Sequence, residues 1–144
     1  MKNKNSIVPK QFPDVPEVNT CKNIKAYTSL LDEGIPSSIV NEMVAQYHTP
    51  KSIFPPMLDL TEKSIKSKIK QKELFTGNQA DALLELQGIF ELARIIFGST
   101  DPFITWLGST DAATNKKRME LLVIPTGRRY IKDELYRIAH GYVY

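Results

Sequence analysis

Residues 79–97 read QADALLELQGIFELARIIF, and this stretch decides the fold class. The stretch has apolar residues at the spacing of one helix face, namely Leu83, Leu86, Phe90, Ala93 and Phe97. Much of the remaining surface is also apolar, through Leu84, Ile89, Leu92 and Ile96. A helix that is apolar on several sides is normally central and buried. The stretch therefore predicts a central helix, which Gly98 ends because glycine readily adopts the left-handed cap conformation.

Shorter helical patterns flank this central helix on its N-terminal side. Gly34 ends a first helix, and Pro36 suits the first turn of a second helix. Pro55-Pro56 interrupts a short third helix, and a lysine-rich helix follows from Leu60-Thr61. Gly77-Asn78 breaks the chain before the central helix.

The C-terminal side repeats the pattern of short helices and breaks. Asp101-Pro102 begins a short helix, residues 108–115 form a polar loop, and residues 118–124 form another helix that Pro125 ends. The last helix follows Thr126-Gly127 and is ended by Gly141. No strand alternation and no internal repeat are apparent, so the sequence predicts an all-α fold of about eight helices.

Length and composition set the class of protein. The chain has 144 residues, of which 42% are hydrophobic and 24% are charged, as is typical of one soluble globular domain, or of one with a small appendage. No apolar run approaches the ~18 residues that a membrane helix needs, and no apolar segment of a secretory signal follows the first residues. The single cysteine, Cys21, excludes an internal disulfide. We therefore expect a cytoplasmic protein without a membrane segment.

Residues for catalysis are few. His48 and His140 are far apart in the sequence, and neither has the spacing of a metal site. Asp32 and Glu33 are adjacent, so on a helix they point apart and do not form an acid–base pair. No glycine-rich phosphate loop occurs. The sequence therefore predicts a protein that is not an enzyme and has no cofactor or metal; an enzyme using His140 and the C-terminal tyrosines is the least favoured alternative.

Positive charge is concentrated in residues 61–72. This stretch has five lysines and one acid, a net charge of +4, whereas the whole chain has +3 and the remainder therefore has −1. Ile65 and Ile69 are predicted to face inward, and the basic face is typical of a nucleic-acid interface or of a solvated helix surface. If this lysine-rich helix contacts DNA, the predicted contact residues are Lys63, Ser64, Lys66, Ser67 and Lys70.

The two ends of the chain differ in character. Pro9, Pro13 and Pro16 predict that residues 1–19 form an extended arm. The chain closes with Tyr142-Val143-Tyr144, and tyrosine is a frequent anchor in protein interfaces. This aromatic segment either folds back onto its own core or inserts into the cleft of a partner.

The C-terminal part of the chain carries an ordered set of motifs. They are residues 93–98 (ARIIFG), 106–107 (WL), 120–122 (ELL), 126–128 (TGR) and 135–144 (LYRIAHGYVY). In these motifs, across about residues 79–144, the chain resembles the toxin-binding domain of the Xre/MbcA/ParS antitoxin family. Residues 34–76 are similar, more loosely, to the Xre-type helix-turn-helix of that family. Where the family often has a glycine-rich stretch and a proline before ELL, residues 113–119 read ATNKKRM.

The resemblance implies a type II antitoxin whose partner is a RES-domain toxin that depletes NAD. Such antitoxins cover the active site of the toxin with the C-terminal segment, commonly form homodimers, and repress their own operon by binding operator DNA. Trp106 and Gly127 would shape the fold. The residues that would face the toxin are Arg137, Gly141, Tyr142, Val143 and Tyr144.

The expected organisation is therefore an N-terminal arm (1–19), a helix-turn-helix-like DNA-binding region (20–77) and a helical toxin-binding domain (78–144). The main alternative is a stand-alone helix-turn-helix transcriptional regulator whose C-terminal domain only dimerises.

Overall fold

The computed structural model of the protein describes residues 21–141, with side chains from residue 24 onward. The predicted arm and the predicted toxin-facing residues Tyr142, Val143 and Tyr144 lie outside the described residues. The described part is mostly helical, which confirms the all-α class. Its eight helices are α1 (Cys21–Glu33), α2 (Ile39–Tyr47), α3 (Phe54–Leu58), α4 (Glu62–Lys70), α5 (Gly77–Phe97), α6 (Asp101–Leu107), α7 (Arg118–Leu121) and α8 (Pro125–Ala139). Within residues 21–141, no helix is long and apolar enough to cross a membrane.

The predicted central helix is confirmed as α5, although it begins two residues earlier than predicted. Leu83, Leu86 and Phe90 are fully buried, because α5 packs against α1, α2, α3, α6 and α8. Gly98 ends the helix with a φ of +84°, and its N–H donates to the carbonyl oxygen of Arg94. The apolar residues on several sides of α5 thus reflect contacts with helices on several sides.

Two pairs of two-residue antiparallel strands accompany the helices, and the sequence did not predict them. The first pair is β1 (Ile35–Pro36) with β2 (Leu74–Phe75), and the second is β3 (Thr110–Asp111) with β4 (Lys116–Lys117). The predicted helix start at Pro36 is therefore wrong. Gly34 does end α1, with a φ of +96°, but the chain then runs alongside β2, and a side chain at position 34 would meet Thr76 at 3.0 Å.

The prediction that Pro55-Pro56 interrupts a helix is also wrong. Both prolines lie in the first turn of α3, which follows a 3-10 turn at Lys51–Ile53. The first N–H groups of a helix have no partner inside the helix, so the missing N–H of proline costs nothing there. The helix ends at Leu58, and the left-handed Asp59 (φ +55°) turns the chain toward α4.

The region between α6 and α8 departs from the prediction in two places. Strand β3 lies within residues 108–115, which were predicted as a loop, and it pairs with β4 just after that stretch, with Thr110 opposite Lys117 in the ladder. Helix α7 ends at Leu121 rather than at residue 124, and Pro125 begins α8 instead of only ending α7. Proline again marks the first turn of a helix, where its fixed φ is favourable.

Buried polar contacts tie the N-terminal helices to α5. The hydroxyl of Tyr47 donates to Oε1 of Glu91 at 2.9 Å, and Arg94 forms an ion pair with the same carboxylate. On α1, the hydroxyl of Tyr27 donates to Oδ1 of Asp81 at 2.7 Å. Burial, together with the bond to Glu91, raises the pKa of Tyr47 above its ordinary value, so this hydroxyl remains a donor. These contacts fix α1 and α2 against the central helix.

One hydrophobic cluster spans the described chain. It includes Ile39 and Met43 of α2 as well as Ile131 and Leu135 of α8, with α5 between them. The predicted boundary at residues 77 and 78 falls at the start of α5, and the division into two functional regions stays a prediction.

Candidate functional site

Helix α4 begins at a side-chain cap and is held by one buried residue. Oγ1 of Thr61 accepts a hydrogen bond from the N–H of Ser64 at 3.0 Å, as an N-cap residue does. Ile65 is only 5% exposed, whereas Ile69 is partly buried. The helix therefore lies on the surface with one side against the core.

Four of the five predicted DNA-contacting residues share the outer side of α4. Lys63, Lys66, Ser67 and Lys70 are all exposed, and their i, i+3, i+4, i+7 spacing places them on one face. The fifth residue, Ser64, is half-buried, and its Oγ accepts a hydrogen bond from Thr61. The structure thus brings the three lysines together and places Ser64 in the helix cap.

The charge of this face is not neutralised by ion pairs within the described part of the chain. Within residues 21–141, Lys63, Lys66 and Lys70 form no ion pair. Lys68 differs, because its Nζ lies 3.1 Å from Oε1 of Glu73 and 5.9 Å from the ring centre of Phe75. Three lysines of α4 are therefore available to an anionic partner, whereas Lys68 has a structural contact.

The N-terminal turn of α8 is fixed in a tight contact with α7. A Cβ atom at Gly127 would lie 1.8 Å from the carbonyl oxygen of Leu121, so the two backbones touch where only glycine fits. The next residue, Arg128, is 4% exposed. Its Nη1 donates to the carbonyl oxygens of Leu122 and Val123, at 2.9 and 3.1 Å. Its Nε lies 2.6 Å from Glu85 of α5. The expectation that Gly127 shapes the fold agrees with this geometry.

The C-terminal turn of α8 faces solvent instead. The side chain of Arg137 is 62% exposed and lies 3.9 Å from Glu134, and Tyr136 is 45% exposed. Nδ1 of His140 lies 2.7 Å from the carbonyl oxygen of Tyr136, and Gly141 takes a left-handed φ of +80°. Arg137 and Gly141, two of the predicted toxin-facing residues, are therefore both exposed at the C-terminal end of α8.

A cluster around Asp111 holds the β3–β4 hairpin in place. The Asp111 carboxylate, 3% exposed, accepts hydrogen bonds from the N–H and hydroxyl of Thr114 and from the hydroxyl of Tyr130. Arg118 lies 3.7 Å from it and stacks over Trp106 at 4.6 Å. Burial opposes ionisation of Asp111, but these hydrogen bonds and the Arg118 charge together hold its pKa below the ordinary value. Trp106 is thus part of a structural cluster.

The two lysines that form β4 were not among the predicted site residues. Lys116 and Lys117 are both exposed, and a hairpin rather than an open loop presents them. The signal was available in the sequence, where Lys116, Lys117 and Arg118 form a run of three basic residues. Among the described residues, no group of three or more His, Cys, Asp or Glu side chains is arranged to hold a metal ion.

No protein-family model matches the chain, and no curated protein matches it.

Proposed function

We propose that the protein is an antitoxin that binds a RES-domain, NAD-depleting toxin and covers its active site with the segment around and after Gly141. The proposal rests on the motifs of residues 79–144. It also assigns a second role to α4, which binds operator DNA and represses the operon.

The observation that carries the toxin-binding role is the contrast between the two ends of α8. The first turn is locked by Gly127 and Arg128, whereas the last turn presents Tyr136, Arg137 and Gly141 to solvent. Because α8 is anchored at its start, its exposed last turn is held in one position, and a preorganised surface loses less conformational entropy on binding than a free peptide does.

The support for DNA binding is the exposed lysine face of α4. Helices α3 and α4 are connected by the three residues Asp59, Leu60 and Thr61. This is the connection length of a helix-turn-helix. Lysine contacts to phosphate give affinity and salt dependence but little sequence information. We therefore expect weak specificity from one copy of the chain, and a homodimer would add a second half-site.

The test of the antitoxin role is co-expression with the protein encoded by the adjacent reading frame, followed by measurement of cellular NAD. We expect the toxin alone to lower NAD and the full chain to restore it. A chain ending at Gly141 should fold, as judged by thermal unfolding, and should fail to restore NAD. The variant Lys25→Gln is the matched control, because this exposed residue lies on α1.

The same experiment separates the alternative of a stand-alone DNA-binding regulator, which the exposed lysine face favours. In that case the full chain leaves NAD low, and Lys66→Glu with Lys70→Glu removes its activity, whereas deletion of residues 142–144 does not. A folded chain ending at Gly141 that restores NAD as well as the full chain would contradict the proposed role of the segment.

A further inference from the structure

The β3–β4 hairpin presents two positive charges on a rigid support. Lys116 and Lys117 are exposed, and neither forms an ion pair anywhere in residues 21–141. The carboxylate inside the hairpin, Asp111, is buried, and it contacts Thr114 and Arg118. The outer surface of the hairpin is therefore cationic, and its acid does not compensate the two lysines.

The support is rigid because the residue next to Lys117 is held on three sides. Nη1 of Arg118 donates to the hydroxyl of Ser109, its guanidinium stacks over Trp106, and its backbone N–H donates to the carbonyl oxygen of Ser109 at 3.1 Å. The ladder between Thr110 and Lys117 closes the hairpin. Anchored cations lose less conformational entropy on binding than cations on a loose loop.

The hairpin continues directly into helix α7, and α7 contacts the turn that leads into the helix before α4. Oγ of Ser52, in the turn that leads into α3, lies 4.0 Å from Sδ of Met119, two residues after Lys117. The neighbouring Lys51 lines a cleft between α2, α3 and α4 together with Lys66 of the lysine face. Glu62 is the one carboxylate among the residues lining that cleft. Exposed lysines thus lie on α4, on the turn before α3 and on the hairpin, and α7 connects the hairpin to that turn.

We propose that the hairpin is a second contact with duplex DNA, in which Lys116 and Lys117 bind backbone phosphates that flank the site of α4. In helix-turn-helix proteins the helix before the recognition helix crosses the phosphate backbone. The hairpin is connected through α7 to the start of that helix, and in this arrangement its lysines reach the flanking phosphates. The inference rests on the proposed DNA-binding role of α4.

The experiment measures binding of the full chain to a labelled 30-base-pair duplex of mixed sequence by fluorescence anisotropy at several salt concentrations. The hairpin variant combines Lys116→Gln and Lys117→Gln, and the α4 variant combines Lys66→Gln and Lys70→Gln. The matched control combines Lys25→Gln and Lys132→Gln, two exposed lysines on α1 and α8. Each variant removes two positive charges.

The hairpin variant should lower the slope of log affinity against log salt by about 2, because each lost phosphate contact removes about 0.9. Its affinity at 0.1 M salt should fall on the order of tenfold or more. The control should keep the slope and affinity of the unmodified chain, and a variant with Lys116→Arg and Lys117→Arg should restore both. Thermal unfolding checks that each variant is folded.

Three results would overturn the inference. Loss of binding in the α4 variant with an unchanged slope in the hairpin variant would limit the DNA contact to α4. If the hairpin variant binds DNA normally but no longer restores NAD, the hairpin contacts the toxin and not DNA. No binding by the unmodified chain at low salt would contradict the DNA role of α4 as well.

Discussion

We predict that Gly127→Ala breaks the contact between α7 and α8 and lowers the free energy of unfolding by about 3–5 kcal/mol. The added Cβ would stand 1.8 Å from the carbonyl oxygen of Leu121, and real Cβ contacts stay beyond 3.0 Å. Relief of the clash needs a movement of more than 1 Å, and all three atoms that the Cβ would meet belong to the backbone of Leu121. Overpacking of this kind costs about 1–3 kcal/mol.

The same movement breaks hydrogen bonds of Arg128, and their loss accounts for the rest of the predicted decrease in stability. Its hydrogen bonds to the carbonyl oxygens of Leu122 and Val123 span 2.9 and 3.1 Å and do not survive a separation of 1 Å. Hydrogen bonds to a charged group contribute about 1.5–3 kcal/mol. Since 1 kcal/mol corresponds to about 2–8 °C in domains of this general size, Tm should fall by roughly 10–20 °C.

The assay is thermal unfolding followed by circular dichroism, with Gly88→Ala as the matched control. Gly88 lies inside α5, and a Cβ there meets nothing within 4 Å. Alanine is favoured over glycine in a helix interior by up to about 1 kcal/mol, so the control should keep or raise Tm. A Tm of Gly127→Ala within 2 °C of the unmodified chain would refute the proposed contact.

Three further predictions concern Arg128, Asp111 and the exposed lysines of α4. Arg128→Ala removes a buried guanidinium together with its hydrogen bonds to Leu122, Val123 and Glu85, and it should lower the free energy of unfolding in urea by about 1.5–3 kcal/mol; an unchanged free energy of unfolding would contradict the structural role of Arg128. The pKa of Asp111 is lower in the folded chain, so its contribution is present above about pH 4 and is lost as the pH falls below that value. Asp111→Asn should therefore be less stable at pH 7 and should lose less stability between pH 5 and pH 2, and an unchanged acid profile would contradict this. Lys66→Glu with Lys70→Glu should abolish DNA binding without changing Tm, and a loss of Tm would show that these lysines support the fold.

The helices were predictable because each depends on a local pattern. The apolar residues of α5 recur at helical spacing over its whole length, and Gly34 and Gly98 end helices by a property of their own backbone. The predictions were wrong where a segment distant in sequence determines the local structure. Pro36 pairs with Leu74, 38 positions away, and no local pattern signals a two-residue ladder. Pro56 was misread because proline both ends and begins helices.

The candidate sites were predictable to a similar degree. Helical spacing was enough to place Lys63, Lys66 and Lys70 on one exposed face. It did not reveal the contact of Lys68 with Glu73, because the left-handed Lys72 (φ +58°) turns the chain after α4. Nor did it reveal that Met119 approaches a residue 67 positions earlier, which requires the packing of the whole chain.

The central claim is that the segment after Gly141 blocks the toxin. Its most direct test measures NAD consumption by the purified toxin while the full chain, or a chain ending at Gly141, is titrated into the reaction. We expect the full chain to stop NAD consumption at a stoichiometric ratio, and the shortened chain to leave the rate unchanged while retaining the same Tm. Equal inhibition by the two chains would contradict the claim.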